Sequence, residues 1–154
     1  MEREGERVAG SYVERNTASR ERLRALAEGA DEHGLHCPLG DDWTVAAALA
    51  HLAFWDGWVR ARWDRYAQDG AFEELPDGVV DLSNAAGMPQ WLALDPRRCV
   101  ELAVDAAEAV DDLIERLPPA VVGYVIATGR AAMIDRSLHR SAHLDDIERA
   151  IASH

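Results

Sequence analysis

Apolar side chains recur along this chain at intervals of three and four, and strict apolar/polar alternation of strand length is nearly absent, so helix is the default local state. The first helix is expected over roughly Gly5 to Glu32, with Val8, Tyr12, Val13, Leu23, Leu26 and Ala30 as its apolar members among many charges. A loop follows from His33 to Asp42, where two glycines and a proline stop helices. Thr44 stands where an N-cap belongs, and a second helix is expected from Val45 to about Gln68. Gly70 closes it, because a residue without a β-carbon adopts the left-handed conformation at little cost. At about 100° per residue, Ala47, Ala48, His51, Trp55, Trp58, Val59 and Tyr66 share one face. His51 therefore points where the large aromatics point.

Between Gly70 and Leu94 the pattern is broken by Pro76, Gly78, Gly87 and Pro89. A crossover carrying a short helix near Val80 to Ala86 is expected, and connections of this length often cover a site. Asp95-Pro96 reads as an N-cap followed by proline at the first helical position. The third helix then runs through Leu102, Ala106, Ala109, Val110, Leu113 and Leu117 until Pro118-Pro119 stops it. Ala120 to Thr128 is apolar and β-branched, and its pattern leaves extended and other conformations open. The last helix is expected from Arg130 to Ala152, with Ala132, Met133, Arg136, His139, His143, Leu144, Ile147, Ala150 and Ile151 on one broad face. Four helices with one longer crossover make an all-α, four-helix bundle, whose facing interior positions can hold metal ligands.

A chain of 154 residues is the size of one domain and buries roughly two-thirds of its unfolded surface, enough for a core without disulfide or metal staples. Residues 1–154 are accordingly read as a single domain. No apolar stretch approaches the roughly 20 residues that span a bilayer, and the charged N-terminus leads into no apolar h-region, so a cytoplasmic protein without a membrane partner is expected. Cys37 and Cys99 share no metal-site spacing and are expected as reduced thiols. The formal charge of −12 repels phosphate backbones, which argues against nucleic acid as a partner. No phosphate-binding loop, dinucleotide fingerprint or activated nucleophile arrangement is evident.

The histidines carry the chemistry. His139 and His143 are four apart on a predicted helix, so their imidazoles neighbour one another about 6 Å apart along the axis. Neutral imidazoles suit zinc, nickel, iron or copper, and a third nitrogen from His51 would leave coordination positions for water or substrate. Desolvating a cluster of imidazoles among aromatics is costly, and coordination removes that cost. His33, His36 and His154 fall in a loop or at the terminus and read as solvated. Asp135, one turn before His139, is a candidate fourth ligand or an acceptor for a liganding imidazole N–H, or else a solvated acid. Arg136 and Arg140 flank the histidine stripe as candidates to orient a substrate carboxylate, or as rim charges. Arg62 has a similar claim from the His51 face. Trp55 and Trp58 are candidate pocket walls, or simply core.

The segments Trp43-Thr44-Val45-Ala46-Ala47-Ala48-Leu49-Ala50-His51-Leu52-Ala53-Phe54-Trp55-Asp56 and Asp135-Arg136-Ser137-Leu138-His139-Arg140-Ser141-Ala142-His143-Leu144-Asp145-Asp146-Ile147-Glu148 resemble the two signature regions of the DinB-like superfamily. That superfamily includes the metal-binding domain of mycothiol-dependent maleylpyruvate isomerases and related thiol S-transferases. Its pattern is one histidine early in the second helix and a His-x-x-x-His pair in the last, matched here by His51, His139 and His143. The resemblance implies an up-down-down-up four-helix bundle, frequently a homodimer, with a three-residue site for zinc, nickel or another divalent metal. The activity it implies is transfer of a low-molecular-weight thiol, of mycothiol or bacillithiol type, to a small electrophilic substrate. A non-catalytic small-molecule binding or self-resistance protein, and a metal-dependent hydrolase, are the alternatives that use the same residues.

Overall fold

The computed structural model describes residues 2–154, with side chains described from residue 11 onward; Val8 lies outside the described side chains. Helix dominates. Helix α1 covers Glu2–Gly29 and is followed by a single turn, α2, at Glu32–Leu35. Strands β1 (Pro38–Gly40) and β2 (Trp43–Thr44) then form a small antiparallel hairpin in which Pro38 faces Thr44. Its turn needs positive φ at Gly40, Asp41 and Asp42 (93°, 50° and 65°), a region that glycine enters freely and aspartate more readily than most residues. The expected long first helix is present but ends at Gly29, and the expected plain loop carries a helical turn and a hairpin instead.

Helix α3 covers Val45–Asp69. The Thr44 hydroxyl accepts the Ala47 N–H at 3.1 Å, and Gly70 closes the helix at φ 73°, so both expected ends are observed. The crossover helix is longer than expected: α4 spans Val79–Ala93 and contains Gly87 and Pro89. What sustains it is tertiary, since its one buried residue, Trp91, is seated against α3 in the core. Helix α5 covers Pro96–Glu115, and the Asp95 carboxylate accepts the Arg98 N–H at 3.2 Å, as the Asp-Pro pair implied.

Two segments depart from expectation near the C-terminus. Residues left open between conformations are helical, α6 covering Pro119–Ala127. A proline at the first helical position presets φ there, and this outweighs the β-branched residues that follow. The last helix, α7, covers Ser137–Ala152 rather than starting at Arg130, and a 3-10 turn at Ala131–Met133 precedes it. Gly129, at φ 72°, turns the chain first. The start of α7 is then set from another helix: Asn16 of α1 accepts the N–H groups of Arg136 (2.8 Å) and Ser137 (3.1 Å) and donates to the Ile134 carbonyl (2.8 Å). A cap supplied across 120 residues has no local signature.

Helices α1, α5, α3 and α7 pack in a closed cycle in that order. Their interior divides into two apolar clusters. One gathers Leu23, Leu49, Leu52, Ala103, Ala107, Leu144 and Ile147; the other gathers Tyr12, Val59, Trp63, Val110, Ile114 and Ile134. Between them lies a buried ionic layer. Arg140 of α7, fully buried, donates from Nε to Asp56 of α3 at 2.9 Å and from Nη1 and Nη2 to Asp111 of α5 at 2.9 and 2.7 Å. Arg136 adds a second bond to Asp56 at 2.9 Å, and Arg20 of α1 a third cation, on Asp111, at 2.9 Å. No helix among the described residues is long and apolar enough to cross a membrane.

Removing one partner of a buried ion pair costs about 3 to 5 kcal/mol because the other charge is stranded. In Arg140→Met, Asp56 keeps Arg136 and Asp111 keeps Arg20, so the expected loss is at the lower end, about 3 kcal/mol. Urea denaturation of the variant against the parent protein checks this; a change under 1 kcal/mol would mean the layer does not hold the helices together.

Candidate metal centre

The hairpin and the N-cap at Thr44 start α3 abruptly, so that His51 sits two turns into the helix and Trp43 sits just before it. His51 is buried, and its ring is enclosed edge-on by three indoles: Trp43 at 5.1 Å, Trp91 at 5.2 Å and Trp55 at 6.4 Å between centroids. Helix α7 closes the remaining side. His139 and His143, one turn apart, bring their rings to 5.1 and 4.7 Å from that of His51 and 4.9 Å from each other.

The nitrogens converge as well as the rings. His51 Nε2 and His139 Nε2 are 3.1 Å apart, and one ligand atom from each of the three histidines lies within 4.8 Å of the others. Two nitrogens bound to one tetrahedral ion at about 2.0 to 2.1 Å stand about 3.3 Å apart by simple trigonometry. The first pair already has that spacing, and the His143 ligand atom lies within 4.8 Å of both. These three side chains can therefore hold a metal ion.

Electrostatics favour the ligating form. Burial first, then the neighbouring His143 and His139, push the His51 pKa down to about 3. Burial, His143 and the guanidinium groups of Arg136 and Arg140 push His139 down to about 3 as well. Burial lowers His143, against an opposing pull from Asp146. The imidazoles are thus neutral at pH 7, with lone pairs available. The Nδ1 atoms of His51 and His139 are buried with no hydrogen-bond partner among the described residues, so no carboxylate fixes either tautomer. His139 and His143 are only half-buried, and Leu138 and Ala142 beside them are exposed, so the cluster is closed by tryptophans on the α3 side and open along α7.

The other expected site residues are placed elsewhere. Asp135 neither ligates nor supports an imidazole: it accepts from Arg15 Nε and Nη2 (3.1 and 2.8 Å) and from the Ser137 hydroxyl (2.5 Å). Arg136 and Arg140 are neither rim charges nor free for a substrate carboxylate, because both are buried in the ionic layer behind the histidines. Trp55 lies beside the cluster, 6.4 Å from the His51 ring, with its Nε1 donating to Asn84 of α4 at 2.9 Å. Trp58 and Arg62 line a separate cavity further along α3. His33, His36 and His154 are exposed, as expected.

Sequence reasoning missed Trp43, Trp91, Asp56 and Asp111. For the two acids a signal existed: Asp56 follows Leu52 by four and precedes Val59 by three, and Asp111 follows Ala107 by four, so each carboxylate occupies a core position of its helix. For Trp91 none existed, since its contact with His51 depends on how the crossover folds back. No family model, curated protein or solved structure matches the chain.

A histidine whose folded pKa is depressed is neutral in the folded protein while the unfolded chain takes up a proton below about 6.5. Stability is therefore full above that pH and falls as pH drops from 6.5 toward 3, by the excess protons bound on unfolding. Metal-free protein is expected to lose about 1 kcal/mol for each of His51 and His139 between pH 7 and 5.5, where carboxylates remain ionised. Denaturation in chelator at the two pH values reads this, and His51→Phe should flatten the slope; equal slopes would show that the clustered imidazoles are not held neutral.

Proposed function

We propose that this protein is a DinB-like four-helix bundle that binds a divalent metal through His51, His139 and His143 and transfers a low-molecular-weight thiol to a small electrophile. The observation that carries this reading is the convergence of three neutral imidazole nitrogens, two of them 3.1 Å apart, beside three tryptophan rings, with His139 and His143 only half-buried. A structural site closes its coordination shell with four protein ligands, whereas three leave room for a reactant. The all-nitrogen donor set favours zinc or nickel over magnesium or calcium, which take oxygen. A divalent ion bound there supplies Lewis acidity, lowering the pKa of a thiol or water that reaches it.

The protein's own residues account for the rest. Helices α3 and α7 orient the imidazoles, the Arg140 and Arg136 pairs with Asp56 lock those helices in register, and Trp43, Trp55 and Trp91 exclude water from the inner side of the cluster. The open α7 edge is where thiol and electrophile would meet. Two free, buried cysteines fit a reducing cytoplasm in which such thiols are kept. The same resemblance supports a homodimer.

Elemental analysis of the purified protein should return about one zinc or nickel per chain, and His51→Ala should lose it while retaining helical circular dichroism. Protein that takes up neither ion from micromolar solution would overturn the metal reading. Conjugation of mycothiol or bacillithiol to monochlorobimane, followed by fluorescence, tests the reaction. Turnover should fall at least about a hundredfold in His139→Ala, in line with losing an essential ligand; equal rates for the two proteins would remove the transferase assignment while leaving metal binding intact.

A further inference from the structure

Beyond the histidine cluster, α3 carries a second concave feature. Arg62 lies eleven residues after His51, about 16 Å along the helix, and lines a cavity of about 240 Å³ with Trp58, Ala61, Phe72 and Leu75. The walls are mostly apolar and partly aromatic, with Arg65 and Glu73, which pair with each other, completing the lining. The charge at its edge is unusual for this chain, which has 28 acidic residues against 16 basic ones. Its neighbours are matched: Arg65 pairs with Glu73 at 2.9 Å, and Arg130, over the Phe72 ring, pairs with Glu74 at 3.4 Å. Arg62 is half-buried and has no carboxylate among the described residues. Its Nη1 reaches only the Met133 sulfur at 3.5 Å, its Nη2 donates to the Glu73 main-chain oxygen at 3.2 Å, and its guanidinium carbon lies 5.4 Å from the Phe72 centroid.

A guanidinium presents paired N–H donors that match a planar carboxylate, and pairing is strongest where water is partly excluded. In a surface with surplus acids, a sheltered arginine without one marks a place where the anion comes from outside. The apolar walls then determine the remainder of the ligand. A cavity of roughly 150 Å³ accepts benzene, so this one has room for a single ring with a short carboxylate-bearing arm.

We propose that this cavity binds a small monocarboxylate with a flat apolar body, its carboxylate paired with Arg62 and its body against Trp58 and Phe72. The site is independent of the metal reading, since none of its residues belongs to the histidine cluster or to the ionic layer.

Calorimetric titration with phenylacetate, on metal-stripped protein and on His51→Ala alike, tests it. Saturable binding is expected for both, with phenylacetamide and inorganic phosphate each at least tenfold weaker, because one lacks the charge and the other the body. Arg62→Met should weaken phenylacetate at least tenfold, and Arg98→Met, which removes a cation paired with Glu101 outside the cavity, less than twofold. Ala61→Leu, which fills the cavity without touching the cation, should weaken it at least fivefold and keeps the test decisive if Arg62→Met does not fold. No phenylacetate binding at 10 mM by the parent protein, equal affinity for the amide or for phosphate, or unchanged affinity in Arg62→Met or Ala61→Leu would overturn the proposal.

Discussion

Arg140, with no exposed surface, is bonded at once to Asp56 and Asp111, and the relative placement of the four packed helices follows from that. Desolvating these charges is costly, and their mutual attraction recovers the cost only when every donor meets its acceptor with good geometry. The interior therefore tolerates very few alternative registers of α7 against α3 and α5. A sliding apolar interface would lose little by shifting one turn; this layer would lose its pairing altogether. Asn16 strengthens the constraint from the fourth helix, since its side chain both caps α7 and holds the turn before it.

The histidine cluster sits one layer from that anchor. His139 immediately precedes Arg140, and Asp56 lies five residues after His51, so the bonds that align the guanidinium groups also align the imidazoles. The charges act on the histidines as well as the helices. Arg136 and Arg140 disfavour a proton on His139, while Asp56 and Asp111 balance the guanidinium charge within the layer. Tryptophan rings complete the environment by removing water from the inner side. Proton exclusion and lone-pair convergence then arise from the same packing, which is the combination that a nitrogen-ligated cation needs.

Helix α3 organises both concave features. Its first two turns carry His51, its middle carries Asp56 and Trp58, and the cavity is bordered from Trp58 through Arg62. Periodicity alone put His51, Trp55 and Trp58 on one face and so assigned them to one pocket. Over seven residues a helix advances about 10 Å, however, and different parts of the crossover meet it: Asn84 and Trp91 near Trp55 and His51, Phe72 and Leu75 near Trp58 and Arg62. A shared face is not a shared site once the helix is longer than the object it borders.

From the sequence one could read the helical class, both ends of α3 and the start of α5, because caps, glycine stops and an Asp-Pro start act through bonds within a few residues. The i, i+4 spacing of His139 and His143 and the apolar company of His51 were equally local. The extent of α4, the late start of α7 and the roles of Arg136, Arg140 and Asp135 were not, because each depends on a partner 80 or more residues away or on burial that no short window records. Whether an arginine four residues from a leucine faces water or a buried carboxylate is decided only when another helix arrives with that carboxylate. The meeting of His51 with His139 across 88 residues belongs to the same category: the chain supplied the ligating groups, and the packing of α7 against α3 brought them together.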